Sequence, residues 1–172
     1  MRVLGIDPAA AGPTGYAVLE TDGRSVRMLE CGALRHARAA SAAERLRAVH
    51  ARMCELIEEH APDEVAVEAV FTALNMKTAI RLAEVRCVVL LAAAERDLPV
   101  HSYAPREVKA SVAGYGHADK HQVQQMVRAL LGLRHAPDSC ALGTDATDAA
   151  AVALCHIQTV QARRRFAQAT GA

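Results

Sequence analysis

The chain has 172 residues, 52% of them apolar, a formal net charge of +1 and a mean hydropathy of +0.07. That is one domain of ordinary size with a sizeable core, and so even a charge balance excludes a generally basic or generally acidic partner. Five cysteines, odd in number and never spaced C-x-x-C, argue for reduced, mostly buried thiols rather than a disulfide frame or zinc site. The first residues read as a strand and not as a leader peptide, and the longest apolar run, Cys87–Ala94, is too short to cross a bilayer. A soluble, cytoplasmic single domain over residues 1–172 is expected, with no membrane contact and with 163–172 as a frayed tail.

In chain order, Arg2–Asp7 is an apolar run that suits a strand buried on both faces. It ends on a carboxylate, followed by Pro8, which cannot donate to a ladder. A turn through Gly12 and Pro13 leads to a second strand, Thr14–Glu20, and Asp22-Gly23 marks a hairpin into a third, Arg24–Leu34. Ser41 with Glu44 fits a capping box for a helix carrying Leu46, Val49, Met53, Leu56 and Ile57 and stopping before Pro62. Glu64–Glu68 is a short strand, again ending on a carboxylate.

Asn75 caps a second helix to about Arg96, with Ile80, Leu82, Val85, Val88 and Val89 as apolar positions. Pro99–Tyr103 reads as a fifth strand. A short helix over Pro105–Val112 follows, then a loop at Gly114-Tyr115-Gly116, a helix over Asp119–Leu131, a loop over Gly132–Gly143 and a last helix from Thr144 to about Gln168. Hairpin-connected strands followed by alternating helices and strands imply an α/β domain: a five-stranded mixed sheet with helices on both faces.

Asp7 and Glu68 both terminate apolar strands, and they stand side by side if those two strands are neighbours in the sheet. Asp145 and Asp148 stand three apart in the first turn of the last helix, on one face. Taken alone, that pair is explained by the helix dipole, worth about 0.3–1 kcal/mol per charge. Four carboxylates in one cleft repel unless cations relieve them, and hard oxygen donors favour magnesium or manganese. His117 and His121, four apart, have no matching ligand set and read as surface or loop histidines.

The stretches Gly5-Ile6-Asp7-Pro8 with Thr14-Gly15-Tyr16, and Val67-Glu68-x-Val70-Phe71 with Asn75 and Leu82, resemble RuvC-type Holliday junction resolvases. The most specific match is Val108-Lys109 with Gly114-x-Gly116-x-Ala118-x-Lys120-x-Gln122-Val123-Gln124 and Met126-Val127, and Asp145-x-x-Asp148-Ala149 completes it. The likeness runs from residue 3 to about residue 156. It implies a ribonuclease H-like fold and a homodimer that cuts four-way junction DNA by symmetric nicks leaving 5′-phosphate and 3′-hydroxyl ends. Asp7, Glu68, Asp145 and Asp148 are then the catalytic, metal-binding carboxylates, holding two Mg²⁺ ions for which Mn²⁺ can substitute. At the position of Asp145 the family sometimes has histidine. A RuvA–RuvB branch-migration partner is a further implication.

This chain departs from the family pattern at Ala9, where glycine is usual, in a slightly longer loop before Thr14, and at Cys87, where glycine is common. Two metals at such a cluster suit in-line phosphodiester hydrolysis. Lys109 and Lys120 are the candidate phosphate contacts, the latter near a helix N-terminus that itself favours anions. Phe71, just past a catalytic strand, is placed to stack on an unpaired base or to pack in the core, and Tyr115 is a second stacking candidate. The run Arg163-Arg164-Arg165 either attracts DNA nonspecifically or solvates a helix end. Two rivals remain. A catalytically silent junction-binding module leaves the four carboxylates unexplained, and an actin-like phosphotransferase needs a second phosphate loop and a longer chain.

Overall fold

A computed structural model describes residues 1–37, 40–70, 75–133 and 143–170. Its strands are β1 (Arg2–Asp7), β2 (Thr14–Thr21), β3 (Val26–Leu34), β4 (Glu64–Glu68) and β5 (Val100–Tyr103). The helices are α1 (Ala42–His60), α2 (Met76–Ala94), α3 (Pro105–Ala113), α4 (Lys120–Leu130) and α5 (Thr144–Thr170). The strands form one sheet in the order β3-β2-β1-β4-β5, antiparallel across β3, β2 and β1 and parallel from β1 through β4 to β5. The expected mixed five-stranded sheet is therefore present, with every expected strand and helix in its place.

Local signals end the elements where the sequence implies. The Asp22 carboxylate accepts from the Arg24 and Ser25 amides, and Gly23 takes the left-handed turn (φ 93°) that a side chain resists. Ser41 and Glu44 cap α1 reciprocally, and Ala61 closes that helix in the left-handed region, its N–H donating to the Ile57 carbonyl. Asn75 caps α2, and Asp119 with Gln122 makes a capping box at α4.

Strand alternation divides the core into two layers. Leu4, Ile6, Val18, Val65 and Val67 pack on Val49, Met53 and Leu56 of α1 and Val89 of α2. Val3, Ala17, Leu19 and Ala66 face α5, which α3 and α4 cover through Val108, Val112, Val123 and Val127. The first half of α5 is buried almost all round, from Ala146 to Ile157, because sheet and helices enclose it. Its second half is exposed, and the helix continues through the arginine run to Thr170, so residues up to 170 are helical rather than frayed.

The thiols differ from expectation. Cys155 is buried, Cys31 and Cys54 are half-buried, and Cys87 is exposed because it lies on the outer face of α2. Cys140 lies outside the described residues.

Two glycines set the distance between α5 and the sheet. A Cβ on Gly5 would run into the Ala149 carbonyl and the Ala153 side chain, and one on Gly15 into the Asp145 carbonyl. Backbone meets backbone there, and the facing helix residues are alanines. Gly15→Ala is expected to destabilise the chain by about 1–3 kcal/mol through overpacking. A lower urea midpoint, with the slope unchanged, is the measurement.

Candidate active site

Parallel pairing puts Ile6 of β1 opposite Val67 of β4, so the next residues, Asp7 and Glu68, leave the sheet side by side. Asp148 stands in the second turn of α5, which the close glycine contacts hold over that same sheet end. The three carboxylates line one cleft of about 200 Å³ with Lys109 of α3 and Lys120 of α4, walled by Pro105, Val108, Val123 and Ala151.

The electrostatics of this cleft are unbalanced. Burial, then the charges of Glu68 and Asp148, push the Asp7 carboxyl from an ordinary 3.8 up to about 8, with Lys120 opposing. Glu68 is also raised, by burial and then by Asp148, although Lys109 and Lys120 oppose. Burial and mutual repulsion therefore favour one proton on the Asp7–Glu68 pair. Lys120 Nζ lies 2.6 Å from Asp148 Oδ2, and this hydrogen bond raises the Lys120 ammonium above its usual range. Two lysines and one proton offset the three carboxylates where a divalent cation would do so better. The donor set is all hard oxygen, which fits magnesium or manganese.

Of the four acidic residues singled out in the sequence, three meet in the cleft. Asp145, one turn earlier on α5, is half-buried and does not line it; its backbone carbonyl lies against Gly15 and its charge reaches Lys120. Tyr115 is half exposed and donates its hydroxyl to Gln122 Oε1 in α4. His117 and His121 are exposed and belong to no ligand cluster among the described residues. Phe71 lies outside the described residues, as does Asp138.

Sequence reading missed a basic pocket formed by Arg35, His36 and Arg45 against Ala11, Gly12 and Pro13, the loop that follows Asp7. The charges come from the end of β3 and the start of α1, so no motif joins them. It also missed three mixed clusters among the described residues, Glu64–His101–His156, His50–Cys54–Glu95 and Glu30–Glu59–His60.

A mixed sheet of this order, crossed by a long C-terminal helix that delivers a carboxylate to two adjacent strand ends, defines a ribonuclease H-like domain with an acidic cleft. Residues 3–156 match the family model described as crossover junction endodeoxyribonuclease RuvC. The crossover junction endodeoxyribonuclease of Halorhodospira halophila is 48% identical over 155 residues, covering 90% of this chain and 89% of that protein. That of Pelotomaculum thermopropionicum is 42% identical over 156 residues, 91% and 92% of the two chains. The Thermus thermophilus RuvC structure in complex with a Holliday junction substrate superimposes with a TM-score of 0.85 at 35% identity, covering 95% of this chain and 96% of that one. The chain belongs to the RuvC family.

Asp7 makes stability depend on pH. The folded chain holds a proton at Asp7 that the unfolded chain releases near 3.8, so this contribution is full in acid and is lost as pH rises through about 8. In chelator, Tm is expected to fall by several degrees between about pH 6 and about pH 8.5, and Asp7→Asn to flatten that fall. Parallel thermal melts of the two proteins are the check.

Proposed function

We propose that the chain resolves four-way DNA junctions, nicking two opposed strands symmetrically in recombination and repair and leaving 5′-phosphate and 3′-hydroxyl ends. As a member of its family it is a crossover junction endodeoxyribonuclease. The observation that carries the reading is the convergence of Asp7, Glu68 and Asp148 with Lys109 and Lys120 in one cleft.

Asp7, Glu68 and Asp148 would hold two Mg²⁺ ions, or Mn²⁺ in their place, with Asp145 as a fourth carboxylate on the same helix. When bound, these ions lower the pKa of the attacking water and stabilise charge on the scissile phosphate and departing oxygen. The chain's own residues do the rest. Beside a divalent charge, Asp7 and Glu68 are both favoured as anions, the proton held on Asp7 passing to solvent. Lys109 and Lys120 present positive charge to the phosphate backbone, Lys120 from the first position of α4, whose N-terminus Asp119 and Gln122 cap. Arg35 and Arg45, beside the loop after Asp7, extend the positive surface for DNA. Phe71 and Tyr115 are the stacking residues of this reading.

Symmetric cutting needs two such clefts related by a twofold axis. The outer face of α2 supports a homodimer: Met76, Ile80 and Leu91 are 76%, 52% and 52% exposed along one helix side. No helix among the described residues is long and apolar enough to cross a membrane, which suits a cytoplasmic enzyme working on DNA with a RuvA–RuvB partner.

The decisive assay is cleavage of a synthetic four-way junction against linear duplex, with magnesium, manganese or chelator. Paired nicks confined to the junction are expected, abolished by chelator and by Asp7→Asn. Tight junction binding without cleavage in either metal would instead make the chain a silent binding module. Light scattering tests the dimer: the parent should run as a dimer, and Ile80→Glu should shift it to monomer with its melting curve little changed.

A further inference from the structure

Strand β4 carries an acidic residue at each end. Glu68 opens into the cleft, and Glu64, four residues back and roughly 13 Å away along the strand, meets a different set of side chains. His101 of β5 brings its Nε2 to 2.8 Å from Glu64 Oε2. His156 of α5, two helical turns beyond Asp148, brings its Nε2 to 2.9 Å from the same oxygen. The two imidazole rings lie 4.6 Å apart between centroids, tilted 33°.

The His156 side chain is 1% exposed, yet its Nε2 makes no hydrogen bond. Its neighbour there is the Glu64 carboxylate, at ion-pair distance and outside hydrogen-bond geometry, so a buried ring nitrogen faces the cluster with no hydrogen bond of its own. Its other ring nitrogen is occupied, because Nδ1 lies 2.8 Å from the Tyr103 hydroxyl. In the tautomer that donates Nδ1–H to that hydroxyl, Nε2 carries the lone pair a metal would take, oriented by the group behind it; in the other, Nε2–H faces Glu64, and metal binding would select the first. Burial, with His101 and Arg163 acting against Glu64, holds His156 below the usual imidazole range and therefore neutral.

Two imidazole nitrogens and a carboxylate oxygen, all within 4.8 Å of one another, are three ligands of a tetrahedral zinc site. Zinc bonds of about 2.0–2.1 Å place such atoms roughly 3.3 Å apart, so small rotations of Glu64 and His101 open the triad around an ion. Both are partly exposed, 23% and 37%, which gives an entry path and leaves the fourth position to water.

We propose that Glu64, His101 and His156 form a second metal site, selective for zinc-type transition metals, at the opposite end of the sheet from the acidic cleft. Its donors are nitrogen-rich where the cleft offers only hard oxygen, so the two ends prefer different ions. The site ties β4, β5 and α5 together, the three elements that carry Glu68, the approach to α3 and Asp148. It stands independently of the nuclease reading. The rival clusters, His50–Cys54–Glu95 and Glu30–Glu59–His60, each have a histidine hydrogen-bonded to a glutamate, at 3.0 and 2.8 Å, and neither buries a ligand atom without a hydrogen bond.

The test is calorimetric titration of the chelator-stripped full chain with zinc chloride, in magnesium sufficient to fill the acidic cleft, together with melting curves. The parent should bind one zinc whose affinity falls at least about tenfold in His101→Gln. Its Tm should rise by about 5–10 °C at zinc a hundredfold above Kd, and His101→Gln should lose that rise. His50→Gln should keep both the binding and the shift, and so should junction cleavage in magnesium by His101→Gln. Glu64→Gln replaces His101→Gln as the diagnostic variant should circular dichroism show the latter unfolded. No zinc binding by the parent, binding unchanged in the diagnostic variant, or binding lost in His50→Gln would each overturn the proposal.

Discussion

The closeness of α5 to the sheet governs the molecule. Most helix-on-sheet packing is separated by side chains; here the Ala149 and Asp145 carbonyls come down onto Gly5 and Gly15, with alanines filling the rest. That approach lets a helix residue, Asp148, reach into the same small cleft as two strand-end carboxylates. A methyl group on either glycine would lift the helix and separate the acidic groups. Ordering of the core and assembly of the cleft are thus one event, since the buried stretch from Ala146 to Ile157 contains Asp148 itself.

Charge is handled differently inside the cleft and outside it. On the surface, Glu20 is matched by Arg2 and Arg27, and Glu58 by Arg96; such exposed pairs contribute little to stability. Inside, Asp7, Glu68 and Asp148 face two lysines, and the shortfall appears as a carboxyl equilibrium displaced toward a proton on Asp7. A fold that tolerates this has its rigidity supplied elsewhere, by apolar layers on both faces of the sheet. The unbalanced charge is what gives the cleft its appetite for divalent cations. The histidine cluster at the other end of β4 follows the same logic with softer donors.

Much of this was readable from local chemistry. Capping residues at Ser41, Asn75 and Asp119, the hairpin at Asp22-Gly23 and the strand-ending carboxylates Asp7 and Glu68 are short-range signals, and each falls where the chain uses it. Helical spacing put Asp145 and Asp148 on one face; Asp148 lines the cleft, and the Asp145 backbone lies over Gly15, the cross-strand partner of Asp7, with its charge in reach of Lys120. Apolar periodicity does not say which side of α2 meets α1, and Cys87 lies on the exposed side.

The sequence alone determined the order and type of the elements, the caps and turn at Ser41, Asn75, Asp119 and Asp22-Gly23, the parity of the strands and the residue types available at the sheet's acidic end. Those depend on hydrogen-bonding and steric preferences acting over a few neighbours. Only the tertiary structure decided the pairing of β1 with β4, the depth of α5, the Lys120–Asp148 contact and the meeting of Glu64, His101 and His156. Those contacts join residues tens of positions apart, and their geometry follows from how two packed layers settle on a twisted sheet rather than from any local preference.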